Sequence, residues 1–538
     1  MITERQRGLP GWAIFAVVFV AEFLAHFSLL RLPYFWDEAG YYIPAARDLL
    51  RTGNLIPISS VSNAHPPLVM AYLALWWKIA GTSQFITRTA MLTVAAFALL
   101  GLFRLAARVA NRRVAWAAIA CTAFYPVFFT QSSMAHVDLA AAAFTFWALD
   151  AFLADRALLV ALWFSLSVLA KETALLAPAA LLVWTLLCPL IARHHVDLLC
   201  RGRLRNAMLA AFLVPVAILC AWYGFHYAQT GYVFGNPEFF RYNVQATMSP
   251  LRILLALGMR LWQTFGYMHL FVLTALTAWA MTMPPVRDGE AERTRIPIAT
   301  QLLFAAVMVA YLTAMAVIGG AVLARYMLSV VPLVILIGVS TLWRRSRYWW
   351  ALVVGVVIAF AVGLFLNPPY GFAFEDNLAY RDYIEMHQHA AQYLEAHRPP
   401  SGVLSAWPAS DELTRPYLGY ITHPFLVIRV EDFSTEQILL ATQAESQYDA
   451  ALLFSTKYVP EHQFTSQWEW WQGIKRRYFG YHQDLPPESI AGRLGGRVVF
   501  TEHRSGQWVA VVKIDKAEDA KAPESSGGHE MAGMRFNH

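Results

Sequence analysis

Long apolar runs separated by short basic or mixed clusters fill the first two-thirds of the chain and then stop. They lie near 12–30, 89–107, 114–130, 138–153, 157–170, 174–192, 207–225, 264–283, 298–319, 326–343 and 348–366. Most approach the roughly 20 residues that a helix needs to cross a hydrocarbon core. The pattern predicts about eleven transmembrane helices, with 138–170 nearly continuous. The first run is long and has no small-residue cleavage site, so it is expected to stay as a span rather than be removed as a signal peptide.

From about Asn367 charged, proline and aromatic residues interleave. "GVLSAW", "FLVIRV" and "DAALLFS" predict short buried strands, and "NLAYRDYIEMHQHAAQYLEAH" predicts an amphipathic helix. The chain therefore divides into a mainly α, multi-pass membrane region over 1–366, an α/β domain over 367–515 and a tail over 516–538 expected to be disordered.

Composition agrees with lipid as the solvent. Hydrophobic residues make up 57% of 538 and charged residues 14%, and mean hydropathy is +0.42. A soluble domain carries roughly 25% charged residues. The four cysteines, Cys121, Cys188, Cys200 and Cys220, form no C-x-x-C pair, which argues against a zinc ribbon or a disulfide framework.

Cations set the orientation. If the spans alternate, Arg5 and Arg7, Arg104 to Arg113, Arg193 to Arg205, Arg287 to Arg295 and Arg344 to Arg347 share one side. That side is cytoplasmic by the positive-inside rule, which places the α/β domain outside the bacterial inner membrane, in the periplasm or extracellular space. The net charge of +6 reflects this asymmetry, and no nucleic-acid partner is expected. Arg31, Arg47, Arg51, Lys78, Arg88, Lys171, Arg241, Arg252, Arg260 and Arg325 fall on the outer face. There they either snorkel to lipid phosphates or hold an anionic ligand.

The outer loop 31–88 carries two helical patterns, "GYYIPAARDLLRTG" and "PPLVMAYLALWWKIAG", expected to lie in the interface with Tyr41, Tyr42, Trp76 and Trp77 at headgroup depth. Asp37 and Glu38 head that loop. Two readings fit: a general base, alone or with a divalent metal held by both carboxylates, or carboxylates that cap the following helix. His65 stands before Pro66–Pro67, rigidly held for contact with a phosphate or for proton transfer, although a lone histidine is more often structural. His136 with Asp138 and Lys171 with Glu172 are either compensated pairs or linings of a cavity. Arg325 and Tyr326 open a span, where arginine suits bidentate grasp of a phosphate and equally suits snorkelling.

"DEAGYY", "HPPL", a second span opened by Arg88, "HVDLAAAAFTF", "LAKETALLAPAALL" and "RYMLSVVPL" follow one another over Met1–Leu366. In this order they resemble the polytopic GT-C glycosyltransferases, in the bacterial branch related to protein O-mannosyltransferases and to the aminoarabinose transferase of lipid A. The resemblance implies transfer of a sugar from a polyprenyl-phosphate donor to a lipid, glycan or protein acceptor on the outer face. It implies that Asp37 is the first-loop acid, that Arg325 contacts the donor phosphate, and that His65 and Lys171 sit near it. Glu38 joins Asp37 as a catalytic candidate, Arg88 and Tyr326 join the phosphate set, and Tyr41, Tyr42, His136 and Asp138 line the cavity. The aminoarabinose branch carries Glu-Lys before Pro-Pro where this chain has Ala64–His65, so a ligand role at position 64 does not carry over.

Two other classes compete. A transporter or lipid flippase would use Glu22, His26 and His269 as a proton relay, although no two-half repeat supports it. A membrane-anchored sensor would need only one or two spans. The glycosyltransferase reading requires Asp37 and Arg325 to face one chamber.

Overall fold

The computed structural model describes residues 9–191, 202–235, 241, 247–397, 401–460, 468–481 and 484–515. The expected tail from Lys516, and Arg5, Arg7, Arg193 and Arg201 of the cytoplasmic set, lie outside the described residues.

The apolar runs are helices, but their lengths differ from expectation. Among the described residues three helices are long and apolar enough to cross a membrane alone: Gln84–Val109, Asn206–Thr230 and Ile298–Val317. Two bent pairs, Arg112–Phe124 with Pro126–Ser133 at 72° and Pro250–Phe265 with Leu270–Met281 at 75°, raise the number to five if each is one span. Gly11–Ala25, Leu68–Ala80, Ala157–Ala170, Glu172–Leu187 and Trp349–Phe365 are apolar but shorter.

The breaks have local causes. Tyr125 precedes Pro126 and is extended at φ −60° and ψ 122°, as the residue before proline prefers, so the run 114–130 divides there. Met268 and His269 have φ of 47° and 65°, which interrupts the second pair. The nearly continuous stretch 138–170 is two helices, Asp138–Leu153 and Ala157–Ala170. The expected span 326–343 is a 3-10 turn Ala324–Met327 followed by the helix Val331–Arg345, which Pro332 opens.

The outer loop folds as a π-turn Glu38–Tyr42, a helix Ile43–Thr52 and a helix Leu68–Ala80. Tyr42 and Trp77 do not lie at a headgroup surface as expected, since both are buried. Trp77 turns inward because its Nε1 donates to Thr87 Oγ1 at 2.8 Å.

Beside a two-residue hairpin, β1 (Arg287–Asp288) and β2 (Ala291–Glu292), the sheet of the C-terminal domain has five strands. These are β3 (Val403–Ala406), β4 (Val427–Val430), β5 (Ala450–Phe454), β6 (Gly496–Arg504) and β7 (Gln507–Ile514), in the order β4-β3-β5-β7-β6. β3 runs parallel to β4 and β5, and β7 runs antiparallel to β5 and β6. The predicted helix is Ala379–Ala396.

This domain is fastened to the outer loop. Tyr34 N donates to Leu418 O at 3.2 Å, Tyr420 Oη to Tyr34 O at 3.1 Å and Arg415 Nη2 to Ser59 O at 3.0 Å. Trp407 lies against Gly40 so closely that a Cβ there would stand 2.8 Å from the indole Nε1.

Beneath this contact is a fully buried ion pair. Glu38 Oε2 lies 3.4 Å from Arg88 Nη2 and accepts from Phe35 N at 2.8 Å, while Oε1 accepts from Ala135 N at 2.6 Å. Arg88 also donates to the carbonyls of Leu32, Pro33 and Ser133. The pair ties the loop entrance to Gln84–Val109 and to the link between Pro126–Ser133 and Asp138–Leu153. Removing one member leaves an uncompensated buried charge, at a cost of about 3–5 kcal/mol. Arg88→Met is therefore expected to lower the thermal transition of the purified protein sharply, and an unchanged transition would contradict this structural role.

Candidate active site

Two residues at the site hold backbone conformations uncommon for side-chain-bearing residues. Trp36 has φ 44° and Ala64 has φ 59°. They immediately precede Asp37 and His65, and such strain, about 1–3 kcal/mol each, persists where surrounding structure enforces it. Trp222 Nε1 donates to Ala64 O at 2.9 Å, which fixes the second of them.

Arg325 is the centre of the site. Its buried guanidinium hydrogen-bonds Asp37 through Nη2 and Glu375 through Nη1 at 2.6 Å, and its Nε lies 3.4 Å from Asp138 Oδ2. Nη1 also stands 3.2 Å from His136 Nδ1, which is itself 2.8 Å from Gln131 Oε1. Lys171 Nζ donates to the other oxygen of Asp138 at 2.5 Å. Asp37, His136, Asp138, Lys171 and Arg325 thus form one cluster of ion pairs and hydrogen bonds. A buried guanidinium and ammonium are tolerated because carboxylates compensate them.

Tyr326 lies under three cations. Lys171 Nζ is 3.9 Å from its ring centre, Arg260 Cζ 5.4 Å and Arg325 Cζ 5.7 Å. Arg260 differs from Arg325 and Lys171: its bonds go to Met315 O, Leu323 O and Gln263 Oε1, and its buried Nη2 has no partner in the structure. It is a buried cation beside the site with a donor still to satisfy.

His65 is one ring away. Its centroid lies 5.9 Å from that of Tyr42, which in turn lies 5.8 Å from His136. His65 Nδ1 is 2.8 Å from Glu172 Oε2. It lines a small cleft together with Tyr41, Tyr42, Ser62, Asn63 and Trp222. Tyr42 thus stands between this cleft and the Arg325 cluster.

Two expectations are corrected. Glu38 and Arg88 do not face the chamber, because their side chains are consumed by the buried pair described above. The adjacent carboxylates Asp37 and Glu38 point to different arginines, so they do not form a shared metal site. Among the described residues no group of three or more histidine, cysteine, aspartate or glutamate side chains is placed to hold a metal ion. The suggested relay is also not assembled. Glu22 Oε2 lies 3.4 Å from His26 Nδ1, but both ring nitrogens of His26 are taken by backbone carbonyls at 2.8 Å, those of Glu22 and Phe129, and the third member, His269, packs its ring against Gly363.

Glu375 and Asp376 were not anticipated from sequence. They form a 3-10 turn, Phe374–Asp376, where the chain passes from its last apolar helix into the sheet domain. Thr130 Oγ1 anchors the turn by donating to Glu375 O at 2.5 Å. Burial, reinforced by Asp37, Asp376 and Asp138 and opposed by Arg325, pushes the Glu375 carboxyl up to about 8. Burial also lifts Asp376 to about 7, against the hydrogen bond it receives from Tyr267 Oη at 2.6 Å. The second oxygen of each carboxyl, Oε1 of Glu375 and Oδ1 of Asp376, is buried without a partner.

No family profile matches the chain, and no curated protein matches it in sequence. Solved structures do. ArnT from Cupriavidus metallidurans bound to undecaprenyl phosphate superposes with a TM-score of 0.56 at 15% identity, over 95% of this chain and 99% of that one. ArnT in the apo state gives 0.53 at 15% identity, over 94% and 98%. The Archaeoglobus fulgidus oligosaccharyltransferase AglB, in complex with an inhibitory peptide and a dolichol-phosphate, gives 0.43 at 11% identity, over 96% and 75%, too weak a likeness to carry weight. Nearly end to end, this chain shares the fold of ArnT.

Proposed function

We propose that this chain is an integral-membrane glycosyltransferase that moves a sugar from a polyprenyl-phosphate donor to an acceptor hydroxyl or amine at the outer face of the membrane, with inversion. The observation that carries the reading is the convergence on Arg325 of carboxylates from three separate segments, at Asp37, Asp138 and Glu375, in a fold shared with a protein whose structure holds undecaprenyl phosphate. The broken and short helices then act together as about eleven spans, with the sheet domain outside.

The chemistry follows from charge. Acidic side chains hold Arg325 and Lys171 while no donor is bound. A donor phosphate offers Arg325 a bidentate partner in place of its one-point contacts, and offers the open Nη2 of Arg260 an anionic one. As phosphate takes the Arg325 edge, Asp37 is released and becomes available to accept the acceptor's proton. The acceptor oxygen or nitrogen attacks the anomeric carbon, the bond from that carbon to the phosphate oxygen breaks, and its electron pair leaves with the phosphate. Arg325, Arg260 and Lys171 stabilise that developing charge. Tyr41, Tyr42 and Trp222 offer ring faces to the ligand where the cleft opens.

General base assistance contributes roughly 10²–10⁴-fold. In lipid nanodiscs, with polyprenyl-phosphate sugars as donors, Asp37→Asn is expected to lose transfer by about that factor while its circular dichroism shows the helical fold retained. Full transfer by this variant would reject the assignment.

Glu375 adds a pH dependence. Its carboxyl ionises at about 8 in the fold, so below that pH the neutral group competes weakly with phosphate for Arg325, and above it the carboxylate competes strongly. Binding of undecaprenyl phosphate is expected to weaken as pH rises through about 8. Glu375→Gln is expected to flatten the profile. The sign for stability is the same: the folded state keeps a proton that the unfolded chain releases at 4.5, so stability falls as pH rises from 4.5 to about 8. A thermal transition that rises over this interval by an amount Glu375→Gln abolishes would contradict the burial of a proton at this site.

A further inference from the structure

The helix Glu469–Phe479 has no buried residue, although it contains four aromatic side chains and an isoleucine. A helix advances about 100° per residue, so Trp470, Trp471, Ile474 and Tyr478 fall on one face. Arg477 and Lys475 flank that face, whereas Glu469 and Arg476 lie on the opposite one. Trp470 is 62% exposed, a large aromatic surface to leave in water.

The position of the helix says what covers it. Arg252 Nε donates to Tyr478 O at 3.1 Å, its guanidinium stands 5.5 Å from the Phe479 ring, and its Nη2 donates to Gly319 O at 2.8 Å. Arg252 lies in the first turn of Pro250–Phe265, and Gly319 follows the end of Ile298–Val317. The C-terminal end of the helix is thus pinned where two apolar helices stop. Met248, Leu251, Leu254 and Ile318, on those same ends, are exposed apolar residues. Exposed apolar residues therefore lie on the same helix ends to which Arg252 pins the short helix.

We infer that Glu469–Phe479 is an interfacial helix that seats the sheet domain on the phospholipid headgroups of the outer leaflet. Trp470, Ile474 and Tyr478 enter the boundary between headgroups and acyl chains, and Arg477 and Lys475 reach lipid phosphates from either side. Lys475 is guided by the ring of Tyr481, 4.1 Å from its Nζ. The inference rests on the membrane reading given above. It assigns to the sheet domain a second attachment, distinct from its bonds to the outer loop.

The test is nitroxide accessibility in phospholipid nanodiscs, on the full chain with its four cysteines replaced by alanine. Single labels are placed through Glu469→Cys, Trp470→Cys, Ile474→Cys and Arg476→Cys, with Val309→Cys on the exposed side of Ile298–Val317 as reference. Oxygen, which partitions into lipid, is expected to dominate relaxation at 470, 474 and 309. Water-soluble nickel chelate is expected to dominate at 469 and 476. Lipid contact at 309 with water contact at 470 and 474 would overturn this inference alone, and water contact at 309 as well would overturn the membrane reading beneath it. If the cysteine-free chain does not fold, hydrogen exchange on the natural chain decides. Amides of 470–478 should be protected more strongly in nanodiscs than in a lipid-free amphipathic polymer, and equal protection would overturn the inference.

Discussion

A single guanidinium holds the site together. Arg325 is reached by Asp37 from the outer loop, by Asp138 from the start of an apolar helix and by Glu375 from the link into the sheet domain. Desolvating one arginine is costly unless its edges are engaged, and here acidic groups from three segments far apart in sequence engage them. The outer loop, the helical region and the sheet domain cannot separate without exposing that charge. The same balance makes the site responsive, because an incoming phosphate changes which anions the arginine holds.

The second buried pair, Glu38 with Arg88, explains how neighbouring carboxylates serve opposite ends. Asp37 turns to Arg325 and Glu38 to Arg88, at a π-turn that follows the strained Trp36. Such turns cluster at functional sites because they redirect side chains within an otherwise regular element. The interior pair fixes the turn, and the turn presents Asp37. Gly40 completes the arrangement, since only a residue without Cβ lets Trp407 of the sheet domain close over it.

Much of this was legible in the sequence, and the remainder shows where sequence reasoning weakens. The helical region, the helix over 379–396 and strands β3, β4 and β5 follow from hydrophobic periodicity, which is a local signal. Strands β6 and β7 were not read because charges at Arg497, Glu502, Arg504 and Lys513 interrupt their apolar positions. Yet Ser505 and Gly506, both at positive φ, form the turn that such a hairpin uses. Asp37, Asp138, Lys171 and Arg325 were readable because an ionisable group at the end of an apolar run needs a partner. Glu375 and Asp376 carried no such signal, as "FAFED" follows the last apolar run like any polar linker. Arg88 and Arg260 were both counted as outer-face cations, and only tertiary contacts distinguish the first, fully engaged by carbonyls and Glu38, from the second, with a donor still open.

The account depends on Arg325 exchanging internal carboxylates for a lipid-linked phosphate. An experimentally determined structure of the full chain with undecaprenyl phosphate measures this directly. It should show phosphate oxygens within hydrogen-bond distance of Arg325 and Arg260, with at least one of Asp37 and Glu375 withdrawn from the guanidinium. A phosphate bound elsewhere, with Arg325 still held by both carboxylates, would contradict it.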